Sequence, residues 1–193
     1  MLKSLARRYK TWRHGRGFGV HSPLAYRLVT QVLRPQRDSR FYAEKGVALF
    51  AGGKRRGHIA ATLLRLVADR NPRKVTVADN SDDAELWRRI VATAAPAASV
   101  TLSPGSMTPE RADGCDLLII GRGGRLPEQL PAFADELPGT YLLFVHSGRD
   151  DREYFERLKA SGALKAMIID SRRDIALAIV RRGLPPQTIE ARF

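Results

Sequence analysis

The fold turns on one stretch, residues 46–80: GVALFAGGKRRGHIAATLLRLVADRNPRKVTVADN. A short apolar run, residues 47–50, ends in Ala51-Gly52-Gly53-Lys54-Arg55-Arg56-Gly57. Ile59, Leu63, Leu64 and Val67 then recur at helical spacing until Asn71-Pro72 breaks the pattern. A second β-rich run, residues 74–78, ends at Asp79. Strand, glycine-rich turn, helix and strand make one βαβ unit. Gly53 and Gly57 let backbone pass close to a ligand, and the helix start offers unpaired N–H groups. Asp79 falls where a second strand would hand an acceptor to a ribose. The stretch predicts a cleft for a nucleotide or nucleoside cofactor. A glycine-rich turn that serves packing alone is the plainer alternative.

Toward the C-terminus the alternation continues. Asn80 or Ser81 caps a helix whose first turn carries Asp82 and Asp83, favourable at the positive end of the helix dipole. Its inward face reads Leu86, Trp87, Ile90 and Val91, and Pro96 ends it. Residues 99–103 read as a strand, 104–114 as a polar loop, and 116–120 as a buried strand opening into Gly121-Arg122-Gly123-Gly124-Arg125. A helix over residues 127–137, a strand over 141–146 and a helix from Asp150-Asp151 to Ser161-Gly162 follow. Two β runs, 164–170 and 175–180, are then separated only by Ser171-Arg172-Arg173-Asp174. That gap is too short for a parallel crossover, so the two strands form an antiparallel hairpin. Pro185-Pro186 sets off a tail, residues 187–193, that either pairs as an edge strand or drapes over the surface.

Toward the N-terminus the chain changes character. Its 193 residues suffice for one domain with a sizeable core and an arm. The net charge is +13, and residues 1–40 hold ten basic residues against Asp38 alone, a local charge of +9. Such an excess favours polyanions, acidic substrates or anionic membrane surfaces. Arg7, Arg8, Arg13 and Arg16 are the candidate phosphate contacts, with Tyr9, Trp12, Phe18 and Tyr26 interleaved. An arm whose aromatics tuck into the core while its charges stay wet is the competing expectation. A first short helix is expected to end near His14, before Gly15, Gly17 and Gly19. Ser22 then caps a second helix with Pro23 at its first position, an apolar stripe of Leu24, Leu28, Val29, Val32 and Leu33, and a stop at Pro35. No apolar run is long enough to span a bilayer, and the start carries no secretory h-region. The single Cys115 excludes an internal disulfide, so a cytoplasmic protein without membrane insertion is expected.

Five β/α repeats closed by one hairpin resemble the class I S-adenosylmethionine-dependent methyltransferases, whose sheet ends in a hairpin of its sixth and seventh strands. The resemblance covers residues 41–182. The arm is similar to that of a bacterial methyltransferase-like subgroup, reading Gly19-Val20-His21-Ser22-Pro23-Leu24-Ala25-Tyr26-Arg27-Leu28-Val29. In the family an acid ends the first strand before Gly-x-Gly-x-Gly, and a second acid holds the ribose. Those positions fall at Ala51, at Gly53 and Gly57, and at Asp79; Gly121 stands where the family often has Asp. The resemblance implies an α/β, Rossmann-like, doubly wound seven-stranded sheet, mostly parallel with the C-terminal antiparallel hairpin, over residues 41–193. An N-terminal helical arm, residues 1–40, precedes it. It also implies S-adenosylmethionine held by Gly53, Gly57, Asp79 and Gly121.

Three functions are compatible with these residues. One is methyl transfer to a small-molecule or nucleic-acid acceptor, with His146, Asp150 or His21 as general base. Another is a non-catalytic relative that binds nucleic acid or another polyanion through the basic arm and loop. The third is a nucleotide-binding module in which Lys54, Arg55 and Arg56 hold phosphate at a helix start. No Cys/His cluster has metal-binding spacing, and no G-x-S-x-G elbow is present. Asp82-Asp83 and Asp150-Asp151 read as capping acids.

Overall fold

Ser22 opens the first packed helix. Its hydroxyl accepts from the Ala25 N–H at 3.3 Å and Pro23 takes the first helical position, as the Ser-Pro pair predicts. The helix runs Pro23–Arg27 (α1) and widens into π-helical turns over Leu28–Leu33. The computed structural model describes residues 9–10, 12–13, 20–34, 46, 51–126, 139–162, 164–181 and 184–193. The expected strand at 47–50, the helix at 127–137, the glycine-punctuated stretch after His14 and the stop at Pro35 lie outside them.

Lys54–Arg70 (α2) is the long helix that the Ile59, Leu63, Leu64 and Val67 periodicity predicts. It ends at Asn71, whose left-handed φ of 45° is tolerated because its short polar side chain suits that region. The sheet then begins: Lys74–Ala78 (β1), Ser99–Leu102 (β2), Leu117–Ile120 (β3), Tyr141–Val145 (β4), Met167–Asp170 (β5), Ile175–Ile179 (β6) and Gln187–Glu190 (β7). Between them lie Asp83–Ala94 (α3), Pro109–Ala112 (α4) and Arg149–Ala160 (α5).

The seven strands form one mixed sheet in the order β2-β1-β3-β4-β6-β5-β7. β5 and β6 pair antiparallel, as the four-residue separation requires, and β6 also pairs antiparallel with β4. All other neighbours are parallel. The tail settles as a strand, β7, at the edge beside β5.

The first strand of the expected βαβ unit, residues 47–50, lies outside the described residues, so only its helix and second strand, α2 and β1, are seen. β1 is hydrogen-bonded to β2 on one side and to β3 on the other, with Val75 opposite both Val100 and Leu117. β1 is therefore the strand from which neighbours depart in both directions, and α2 precedes it. The strand count of seven survives with different membership: β7 is included, and residues 47–50 are not among the described strands.

Two apolar layers cover the sheet. Leu28, Val29 and Leu33 pack with Ile59, Leu63 and Val67 of α2 and Trp87 and Ile90 of α3 against Val75, Val77, Leu117 and Leu143. On the opposite face Phe155 of α5 and Met107 pack against Leu118, Leu142 and Phe144. Alternation along β3 and β4 sends successive side chains to opposite layers, so both strands are apolar throughout. Arg65 is buried in the first layer, donating to the Val32 and Leu33 carbonyls at 2.9 and 2.7 Å. Arg27 forks onto Asp69 at 2.6 and 2.9 Å. Together these tie the N-terminal helix to α2.

Candidate functional site

In an open α/β sheet a ligand sits beyond the carboxyl ends of the strands, where the strand order reverses. In this chain that point lies between β1 and β3, where the loop after β3 packs against the end of β1. Asp79, immediately after β1, is 4% exposed. Its Oδ1 accepts from the Ser81 N–H at 2.8 Å and the Ser81 hydroxyl at 2.6 Å, and its Oδ2 from the Trp87 indole N–H at 2.9 Å. Gly121, immediately after β3, packs against this carboxylate so closely that a Cβ on it would lie 1.9 Å from Asp79 Oδ2. A Cβ on Gly124 would meet the Ala78 carbonyl oxygen at 2.2 Å. The Asn80 N–H donates to the Arg122 carbonyl at 2.8 Å, and the Gly121 N–H to the Ala78 carbonyl at 2.8 Å. The glycines after β3 thus let one loop close on another.

Asp79 and Gly121, both expected to hold the cofactor, lie side by side, and the Asp79 carboxylate accepts from three internal donors. Gly53 and Gly57 sit at the start of α2, where Gly53 has φ 112° and the Gly57 N–H donates to its carbonyl at 2.8 Å. That glycine turn leads into α2, ahead of β1.

The basic residues of the turn are also engaged. Arg55 donates to Asp174 Oδ1 at 2.6 Å, to the Ser147 carbonyl at 3.3 Å and to the His146 carbonyl. Arg56 pairs with Asp83 at the start of α3. Lys54, Arg55 and Arg56 are all exposed, so the two pairs are wet and each is worth little in stability. They nonetheless neutralise the charge that a phosphate would seek.

His146 follows β4 and is 1% exposed. Its ring packs against Phe155 with centroids 5.2 Å apart, and its Nε2 has no hydrogen-bond partner. Burial first, and then the positive charge of Arg152, pushes its pKa down to about 4. It is a neutral imidazole walled off from solvent. Asp150 is exposed on the first turn of α5. His21 is exposed immediately before the Ser22 cap of α1, and the His146 ring lies against Phe155 of α5.

Asp151 performs the capping that the acidic pair predicts, and more. Its Oδ2 accepts from the Ser147 and Gly148 N–H groups at 3.1 and 3.2 Å, and its Oδ1 from the Gly123 N–H at 3.2 Å. One carboxylate therefore staples the loops after β3 and β4. Arg125 stands 3.7 Å from it and stacks over the Tyr154 ring at 4.4 Å.

Sequence reasoning missed the buried ion pair at the end of β5. Asp170 is wholly buried and takes a fork from Arg152 at 2.9 and 2.8 Å, the Arg172 N–H at 2.7 Å and Lys159 at 3.5 Å. Burial alone would push its carboxyl up, but the Arg152 fork and the other donors hold it below the usual range. A charged residue closing an apolar strand run was the available signal. Cys115 is buried against the Thr76 hydroxyl at 2.9 Å, and burial pushes its thiol up, as suits an inert packing residue. No group of three or more potential metal ligands occurs among the described residues. No protein-family model matches the chain, and no curated protein matches it.

Of the arm's candidate contacts, Arg13 is described, helical and exposed, while Arg7, Arg8 and Arg16 lie outside the described residues. Tyr9, Trp12 and Tyr26 are exposed, so the expectation that the arm's aromatics tuck into the core does not hold for these three. Phe18 lies outside the described residues.

Proposed function

We propose that this chain is a non-catalytic binding protein on a Rossmann-like, methyltransferase-type scaffold, and that its basic N-terminal arm engages a polyanion. The observation that carries the reading is the closed switch point. Asp79 spends its carboxylate on Ser81 and Trp87, and Gly121 and Gly124 bring the loop after β3 into van der Waals contact with the end of β1. A ribose needs an acceptor turned toward it, so these residues do not fit S-adenosylmethionine. The turn at Lys54, Arg55 and Arg56 fits a nucleotide phosphate no better, because Asp174 and Asp83 answer two of its three cations. Residues 1–40 carry +9 of the total +13, the densest excess of positive charge in the sequence.

The methyltransferase reading retains one supporting feature. β6 runs against its neighbours β4 and β5, the reversed pair that the resemblance implies. That feature supports a shared scaffold. Chemistry finds no matching support in His146, which is sealed in the core.

Calorimetric titration with S-adenosylmethionine and S-adenosylhomocysteine, beside heparin chromatography, tests the proposal. The expected result is no cofactor binding, with heparin retention that falls steeply as salt rises. Micromolar binding of S-adenosylhomocysteine, weakened by Asp79→Ala, would overturn it in favour of the enzyme. Binding of ATP lost on Lys54→Ala would overturn it in favour of the phosphate site.

A further inference from the structure

A polyanion alone does not explain the arm's aromatic residues. Tyr9, Lys10, Trp12 and Arg13 are helical and exposed, with Tyr9 59% and Trp12 41% in solvent. The two rings stand one turn apart and stack, with centroids 5.9 Å apart and planes inclined by 25°. The Arg13 guanidinium lies 5.8 Å from the Tyr9 ring centroid. They form an apolar ridge edged by cations. Leaving such a ridge in water forfeits the gain from burying two large rings. The sequence extends the pattern: Leu2, Leu5, Tyr9 and Trp12 fall within an arc of about 80° at helical periodicity. Lys3, Arg7 and Lys10 fall outside that arc, and no acid appears before Asp38.

Resting on the polyanion-binding reading, we infer that the partner is an anionic lipid surface, with the Tyr9–Trp12 ridge at the headgroup–acyl boundary and the flanking cations on lipid phosphates. Aromatic rings with one apolar body and one polar edge settle at that depth, and basic amphipathic segments lie in that plane. Charge complementarity supplies the second contribution, each cation near the surface adding about fivefold in affinity. Single-stranded nucleic acid fits less well. Base stacking uses an open ring face, whereas Tyr9 already has Trp12 against it and Arg13 over it. Among the described residues no helix is long and apolar enough to cross a membrane, so the contact proposed is with the surface.

The two tryptophans separate arm from core. Trp87 is wholly buried, so a change in emission on adding vesicles reports Trp12. The full chain is mixed with phosphatidylcholine vesicles, with vesicles rich in phosphatidylglycerol, and with a short single-stranded RNA. The expected result is co-sedimentation with the anionic vesicles only, a blue-shifted Trp12 emission, and quenching by brominated lipid that disappears in Trp12→Phe. Trp12→Ala is expected to weaken vesicle binding about tenfold while leaving heparin elution nearly unchanged. Heparin retention without vesicle binding, or RNA binding stronger than vesicle binding, would overturn the lipid inference and leave the polyanion reading standing. Loss of heparin retention as well would overturn both.

Discussion

The carboxyl edge of the sheet and the N-terminal arm are both rich in basic residues, yet the described residues of each set those charges among different neighbours. At the edge, Arg55 meets Asp174, Arg56 meets Asp83, Arg125 stands by Asp151 and Arg152 forks onto Asp170. In the arm, Lys10 and Arg13 are exposed on a helix that also exposes two stacked rings. The edge resembles a binding site in composition and is built as a clasp. The arm resembles a basic tail in composition and presents two exposed, stacked rings beside its cations. Charge density alone does not distinguish a site from a fastening; the partners of each charge do.

If the edge is a clasp, breaking it costs stability. The largest effect is expected for Asp170→Asn, which removes the wholly buried carboxylate shared by Arg152 and Lys159 and leaves them only the more exposed Glu156. Urea unfolding should show a loss of about 3–5 kcal/mol. A loss below about 1 kcal/mol would mean that the pair contributes no more than a surface contact.

The closed switch point makes the next prediction. Gly121→Ala drives a methyl group into Asp79, and Gly124→Ala drives one into the Ala78 carbonyl, which cannot step aside as a flexible side chain can. Each should cost about 1–3 kcal/mol, with Gly124→Ala the worse. Full stability in both variants would mean that the crevice has room for a ligand and would revive the cofactor reading.

Acid should open the same region. Buried His146 titrates at about 4 in the folded chain against an ordinary 6.5. The folded pKa is depressed, so the unfolded chain takes up the proton first. Stability is fully present above pH 6.5 and is lost as pH falls through about 4, a total of ~3 kcal/mol. His146→Phe should flatten that part of the profile; an unchanged profile would place the titration on another group.

The arm should give the smallest change in stability and the largest in binding. Replacing Arg7, Arg8, Arg13 and Arg16 by Gln is expected to shift unfolding by less than about 0.5 kcal/mol. The same variant should leave heparin at much lower salt. A large loss of stability would show that these arginines fasten the arm, which would erase the contrast with the edge.

Most elements were legible from the sequence because their signals are local. Ser22-Pro23 announces α1, Leu63 and Val67 mark the inward face of α2, and Asp151 caps α5. The hairpin of β5 and β6 follows from a four-residue gap that no parallel crossover can use. Of the unit at residues 46–80, the helix and the strand at 74–78 were legible from periodicity and β-rich composition. Nothing within that stretch says that β1 pairs directly with β3, some forty residues later.

The sequence by itself determined an α/β chain with a reversed strand near its C-terminus and a strongly basic beginning, because periodicity, caps and gap length act over a few residues. Only the tertiary structure decided that Asp79 turns inward to Trp87, that Gly121 closes over it, and that Arg55 finds Asp174 from 119 positions away. Such contacts are set by how the layers stack around the sheet, and no short window of residues encodes them.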